Sequence, residues 1–430
     1  MANPPLSAAS VQRVLDYIQS HWDESVHDDV RQPPPENVSA LPVPHTVPCL
    51  HGHFPVFFYW DTYFTNLGLL IQGRVDIARN NCEAMAWLID RHGFIPNNTF
   101  KSDANRSQPP YFSRMVREVY ETTGDKAWLG AMEVFARREY QFWMTARHTP
   151  LGLNHHGEHA SRDFLFRFYD KLLHGRLGLP LDVAESVKLG EARRYLAEAE
   201  TGWDFNPRFE HRCPDFCPVD LNALLWAYEN DLAFFSRELG RADAGERFDA
   251  CASSRAALIR AHLWDGERGL FMDFDHVAMA RGKTASLASF HPLWLGLATA
   301  DEASRTRANL SLFEEAHGTA VCERVADKTF YQWGHPNGWP PLTYTTVFGL
   351  DRFGFSGDAR RLAEKYLAWV VRHFESTGQL WEKFNCLDGS IAGGEYEAQP
   401  MLGWSAGVFV ALADFVEKGR AQNAPGRIGA

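Results

Sequence analysis

Apolar residues recur at intervals of three and four along most of the chain, the signature of helices that bury one face. This spacing predicts helices over Val75–Ile89, Arg114–Thr122, Trp128–Thr145, Val219–Leu239, Ala242–Leu263, Leu287–Ala298, Leu342–Phe353, Arg360–Phe374 and Trp404–Val416. A further helix over Val11–Ile18 follows Ser7 and Ser10, either of which can cap it, and another begins near Thr62. Alternating strand patterns are nearly absent, with Gly269–Phe274 the best short candidate. Short links such as Thr123-Gly124-Asp125 and Gly240-Arg241 alternate with long connections rich in Trp, Gly, Pro and Asn. Short links make antiparallel hairpins, while long loops in compact domains tend to carry function. The pattern therefore predicts an all-α ring of helical hairpins with its long loops at one end. Residues 1–50 read as an N-terminal helix and a wrapping loop marked by Pro33-Pro34-Pro35, 51–418 as the barrel, and 419–430 as a flexible tail.

Composition narrows the functional classes. Of 430 residues, 43 are Lys or Arg and 54 are Asp or Glu, a formal charge of -11. That excess of acid, without a basic run, argues against nucleic acid as a partner. No apolar run reaches the length of a membrane span, and the first residues lack a secretory pattern. Seven cysteines at irregular spacing read as reduced thiols, which gives a cytoplasmic expectation. Cys213 and Cys217, with His211 upstream, form half of a metal motif without a second pair, so no metal is expected.

Four loops concentrate groups suited to sugars: Phe57–Asp61, Asn97 through Pro110, Gly202-Trp203-Asp204, and Gln332 through Trp339. Carboxylates, amides and Arg can bond neighbouring hydroxyls, and indole rings cover the apolar C–H face of a sugar. Glycoside hydrolysis needs an acid for the leaving oxygen and a second carboxylate for water or sugar. The candidates are Asp61, Asp204, Glu382 and Glu395. Asp204 lies between Trp203 and Phe205, where poor solvation raises a carboxyl pKa, and Glu382 precedes Lys383, whose charge favours an ionised base.

In order along the chain, several segments resemble the successive motifs of the α,α-trehalases. They are Tyr59-Trp60-Asp61-Thr62-Tyr63-Phe64, Gly93 through Asn97, Arg106 through Pro110, Gly202-Trp203-Asp204 with Pro207-Arg208-Phe209, Gln332-Trp333 with Pro336 through Trp339, Glu382 through Asn385, and Gly393 through Tyr396 with Gly403-Trp404. The resemblance spans about Phe54 to Gly407. It implies an (α/α)6 barrel and an inverting α-glycosidase that needs no cofactor, with Asp204 as general acid, Glu382 as general base and Glu395 as the alternative base. It also implies a sugar pocket lined by Phe54, Trp60, Asp61, Asn97, Arg106, Gln108, Trp203, Trp333, Glu395 and Trp404.

The sequence departs from that pattern at Leu50 through Phe54, where His53 replaces an arginine, at Trp333-Gly334-His335, and at Gly152 through Gly157. Losing charged partners shifts discrimination against a substrate that used them. A trehalose-like substrate leads, with glucosylglycerate or mannosylglycerate as the alternative, whose carboxylate has His155, His156 or Arg208 as candidate partners. A sugar-binding protein without turnover and an epimerase using His155 and His156 are the competing classes. Oligomeric state is not legible.

Overall fold

In the computed structural model, residues 6–50, 54–326, 331–394 and 396–423 are described. Fifteen helices among them are α1 (Ala8–His21), α2 (Tyr59–Ile71), α3 (Val75–His92), α4 (Phe112–Thr123), α5 (Lys126–Ala146), α6 (Arg162–Arg167), α7 (His174–Leu177), α8 (Glu185–Glu200), α9 (Val219–Glu238), α10 (Ala242–His262), α11 (His291–Leu295), α12 (Ala300–Ala308), α13 (Pro340–Arg352), α14 (Ser356–Thr377) and α15 (Gly403–Asn423). Strands are two-residue pieces at loop crossings.

Two kinds of helix build the barrel. The inner ring closes on itself: α2 packs on α4, α4 on α9, α9 on α11, α11 on α13, α13 on α15, and α15 back on α2. Helices α3, α5, α10 and α14 pack outside it. Inner helices are buried nearly all round, as in α2, where every residue from Tyr59 to Leu69 is buried. Outer helices bury one stripe, as α14 does with Leu362, Tyr366, Trp369 and Val370. The ring closes tightly where α2 meets α15, because Gly407 is so near the Phe64 carbonyl that a Cβ would stand 1.9 Å from it. This is the ring of helical hairpins that the apolar spacing predicts, in the (α/α)6 form that the resemblance implies.

Observed ends differ from the expected ones by a few residues for most helices. Ser7, rather than Ser10, caps α1, its hydroxyl accepting from the Ser10 amide at 3.0 Å. The run over Leu287–Ala298 splits into a tight 3-10 turn, Leu287–Phe290, and α11, which ends at Gly296 in the left-handed region. Gly269–Phe274 resolves into two short strands, Leu270–Phe271 and Phe274–Asp275, which pair with different partners. Helices α6, α7, α8 and α12 carry no clear period in the sequence; α6 and α7 are joined by a π-helical turn, Phe168–Leu173. Helix α15 runs to Asn423, past the expected barrel end at 418, and residues 424–430 lie outside the described residues. The Pro-rich loop after α1 crosses one end of the barrel, with Val38 bridged to Phe100 and the Ser39 amide donating to the Thr99 carbonyl at 2.8 Å. No helix among the described residues is long and apolar enough to cross a membrane.

Candidate active site

The long loops at one end of the barrel enclose a cavity of ≈ 720 Å³. Asp204 and Glu382 both line it, with Phe54, Trp60, Asp61, Asn97, Arg106, Gln108, Trp333 and Trp404. One of the anticipated residues stands apart. Trp203 does not line the cavity; it stacks behind Trp333 at 5.9 Å and 21°, with the Arg208 guanidinium 4.3 Å from its ring centre. Glu395 and His53 lie outside the described residues.

The floor is aromatic. Trp333 and Trp339 stack at 3.7 Å and 7°, and Trp60 and Trp404 meet edge to face at 5.7 Å. Trp60 stands at the first turn of α2, where its amide donates to the Gln108 side chain at 3.1 Å. That bond ties α2 to the loop carrying Asn97 and Arg106, which is itself closed by the Asn97 amide donating to the Arg106 carbonyl at 3.0 Å. Arg106 lies 3.9 Å from Asp103 and donates to Asn105, while its buried Nε has no protein partner. Asp61 is buried on the same floor. Burial, with smaller contributions from Glu382 and Asp204, pushes its carboxyl up to about 8.

Asp204 rides on a turn after α8. Gly202 makes this turn with φ +74°, and its missing side chain lets the backbone approach Trp60, whose ring would be 2.8 Å from a Cβ. The Asn206 side chain donates to the Trp203 carbonyl and accepts from the Arg208 amide, and the Asn206 amide donates to the buried Glu198 at 2.6 Å. Glu200, at the end of α8, collects Arg147 through two bonds of 2.8 Å, the Ser107 amide at 2.9 Å and the Gly157 amide at 2.8 Å. Despite full burial, the Arg147 guanidinium holds the Glu200 carboxyl well below the usual carboxylate range. Three loops are thus pinned beside Asp204. Burial raises the Asp204 carboxyl above its ordinary value, with Arg106, Arg176 and Lys383 pulling the other way.

Glu382 is held differently, by direct contacts to its carboxylate. The Tyr396 hydroxyl donates to Oε1 at 2.6 Å, the Gln399 amide approaches Oε2 at 3.5 Å, and Lys383 Nζ lies 3.9 Å from Oε2. Its backbone is fixed by the Trp404 indole, which donates to the Glu382 carbonyl at 3.1 Å. Burial raises the carboxyl to about 7; Lys383 and the two hydrogen bonds favour the ionised form, and Asp204 opposes it. Lys383 is itself buried, with Nζ 3.8 Å from the Tyr396 ring centre and bonded to the Tyr396 carbonyl.

The candidate partners for a carboxylate are elsewhere. Arg208 is fully buried and saturated by bidentate bonds to Asp220 and Asp273 at 2.7 to 3.0 Å. His156 lies 3.4 Å from Glu200, and burial drives His155 down to about 4. None of the three lines the cavity. Three exposed cations do: Arg167, Lys171 and Arg176, on the α6–α7 segment. Sequence reasoning also passed over Tyr396 as the partner of Glu382, and Glu200 as the junction of three loops. Tyr396 has no local signal beyond its place in a motif, and Glu200 has none. Among the described residues no group of three or more His, Cys, Asp or Glu converges as a metal site.

Comparison with known proteins bears on the family and the fold. The Trehalase family profile matches residues 3–170 and 184–417. A periplasmic trehalase of Xanthomonas campestris pv. campestris (strain B100) is 32% identical over 450 residues, covering 99% of this chain and 78% of that protein. Among solved structures, the neutral trehalase of Saccharomyces cerevisiae superposes with a TM-score of 0.74 at 24% identity, covering 96% of this chain and 82% of that one. A mannosylglycerate hydrolase of Thermus thermophilus, solved with Tris and D-glycerate, shares the fold with a TM-score of 0.62 at 19% identity, covering 94% of this chain and 99% of that one. The chain belongs to the trehalase family, and with it to the glycoside hydrolases.

Proposed function

We propose that this chain hydrolyses a small α-linked disaccharide or glycoside of the trehalose type with inversion at the anomeric carbon, Asp204 acting as general acid and Glu382 as general base. The observation that carries this reading is the pairing of two carboxyls from separate loops, half-buried Asp204 and buried Glu382, on one aromatic-floored cavity, where Asp204 raises Glu382 and both raise Asp61. Like charges in a poorly solvated site resist joint ionisation, so the pair favours a form carrying one proton. That is the form inverting hydrolysis uses: the acid protonates the glycosidic oxygen while the base takes a proton from water on the opposite face of the ring. Tyr396, Lys383 and the Gln399 amide favour ionised Glu382. Trp60, Trp333, Trp404 and Phe54 supply surfaces for C–H faces, and Asp61, Asn97, Arg106 and Gln108 supply partners for hydroxyls. This chemistry uses only side chains and water, without a cofactor.

The test is release of glucose from trehalose, with the anomer formed first followed by proton NMR. Equal amounts of β-glucose, from the inverted unit, and α-glucose, from the leaving unit, at early times, with release abolished by Asp204→Asn, are the expected result. α-Glucose alone at early times would make the enzyme retaining and Glu382 a nucleophile. Intact trehalose together with every other α-glycoside would end the hydrolase reading.

A cytoplasmic location is the second part of this reading. It rests on seven cysteines that are all free thiols, six of them buried, whereas the Xanthomonas relative is named periplasmic. Cell fractionation of the native host, with activity in the osmotic-shock fluid, would overturn it.

A further inference from the structure

The cavity is not uniform from floor to mouth. Its floor is buried and carries the carboxyls, and its mouth carries exposed Arg167, Lys171 and Arg176 on one segment. With the carboxyls on the floor, the glycosyl unit sits there and the leaving unit points toward the mouth, past the acid. The three cations therefore stand where the leaving unit emerges.

The local structure explains how one short segment delivers them. Leu165, Tyr169 and Leu173, four residues apart, are buried against Leu196 and Tyr195 of α8 and against Phe205, the neighbour of Asp204. This cluster is separate from the main barrel core. Arg167 and Lys171, also four apart, face the cavity beside Phe164, Phe168 and Leu172. The π-helical turn at Phe168–Leu173 re-aims the face between the two helical pieces, a known use of such turns at functional sites. Neither Arg167 nor Lys171 has a hydrogen bond or ion pair among the described residues. Arg176 has a partner of its own and acts on Asp204, whereas for Arg167 and Lys171 the flanking acids are taken: Asp170 pairs with Lys188 at 2.7 Å, and Asp103 accepts from Asn98 and faces Arg106. The match to the Trehalase family profile breaks over 171–183, so Lys171 and Arg176 belong to a stretch particular to this chain relative to that profile.

We infer that Arg167, Lys171 and Arg176 form a subsite for an anionic group, a carboxylate or a phosphate, on the leaving unit of the substrate. The inference rests on the hydrolase reading above and refines its substrate class. Exposed cations gather an anion by long-range attraction and by charge-assisted hydrogen bonds, and both effects weaken with salt.

The experiment compares kcat/KM for trehalose, α-glucosylglycerate and trehalose 6-phosphate in the wild type and in the Arg167→Gln/Lys171→Gln/Arg176→Gln protein, with Lys171→Gln alone as the milder variant. The expected result is a preference for one anionic substrate over trehalose of roughly tenfold or more, the yield of one or two charge-assisted contacts. That anionic-to-neutral ratio should collapse in the triple variant, fall partway in Lys171→Gln, and shrink at high salt. Preference for the glycerate identifies a carboxylate site, and preference for the 6-phosphate a phosphate site. Trehalose cleaved at least as well as both anions, with a ratio unmoved by the substitutions, overturns the subsite and leaves the hydrolase reading standing. If nothing is cleaved, the hydrolase reading falls, and calorimetric titration with D-glycerate and inorganic phosphate decides the subsite. Binding weakened by the triple substitution supports it, and no binding overturns it.

Discussion

The two candidate catalytic carboxyls line the same cavity yet are held in opposite ways. The Asp204 turn is fixed almost entirely through its backbone and neighbours: Asn206, Glu198, Glu200 and the Gly202 contact with Trp60. The Glu382 carboxylate is itself gripped, by the Tyr396 hydroxyl and by Lys383. Burial raises both carboxyls, and cations oppose it at both: Arg106 first at Asp204, and Lys383 together with the Tyr396 hydroxyl at Glu382. The difference teaches that a carboxyl can be positioned through its backbone or through its own oxygens, and that this fold uses each for a different member of the pair.

Removing the carboxyls should break the comparison most strongly. Asp204→Asn should lower kcat by about 10³-fold, the usual scale for a lost general acid, with substrate binding retained in calorimetry. Glu382→Gln should do the same, and equal loss in both is expected if they act as one unit.

Next is the framework behind Asp204. Glu200→Gln leaves Arg147 buried without its carboxylate, a change that costs about 3–5 kcal/mol and is read as a lower midpoint in chemical denaturation. Because the Glu200 carboxyl is held below its ordinary value, its stabilisation is fully present at neutral pH. It is lost as the pH falls from the unfolded-state value of about 4.3 towards the lower folded value. A wild type whose stability is flat across that acid range, or a Gln variant as stable as wild type, would remove Glu200 from this role.

A smaller effect sharpens the Glu382 side. Tyr396 and Lys383 both favour the ionised base, so Tyr396→Phe should raise the Glu382 pKa above about 7 and move the acid limb of the kcat/KM profile upward. The shift expected is up to about one pH unit, and a limb that stays or moves down would contradict the assignment. The same substitution should leave the alkaline limb nearly in place, since Asp204 has no contact with Tyr396 beyond charge. The smallest effect concerns Asp61, whose carboxyl stands at about 8. Asp61→Asn should raise KM several-fold, on the scale of one lost neutral hydrogen bond, with kcat little changed. A drop confined to kcat would mean that Asp61 takes part in the chemistry.

Much of the site was legible in advance because its side chains lie in short runs beside aromatic, Gly and Pro positions. Trp60 and Asp61 fall at the first turn of α2, Asn97 through Gln108 form one loop, and Trp333 through Trp339 form another. Trp203 shows the limit of such reading. Its neighbour Asp204 reaches the cavity, while the indole turns back to stack between Trp333 and Arg208. Arg208, chosen as a partner for an anion, is consumed by Asp220 and Asp273, residues that follow it by 12 and 65 positions.

What the sequence by itself determined is the helical ring and the kinds of side chain its candidate site offers to a sugar. A helix with a buried stripe must repeat its apolar residues every turn, and sugar chemistry admits few side-chain types. Only the tertiary structure decided which charges are spent on each other and which face the substrate. Helix α8 and the Arg162–Leu177 segment carry weak periods because they bury against each other in a small cluster of their own. Their placement therefore depends on partners distant in the chain, as does the delivery of Lys171 and Arg176 to the cavity mouth. Ion pairing follows proximity in space, and proximity in space is set by the closing of the ring, which no local pattern records.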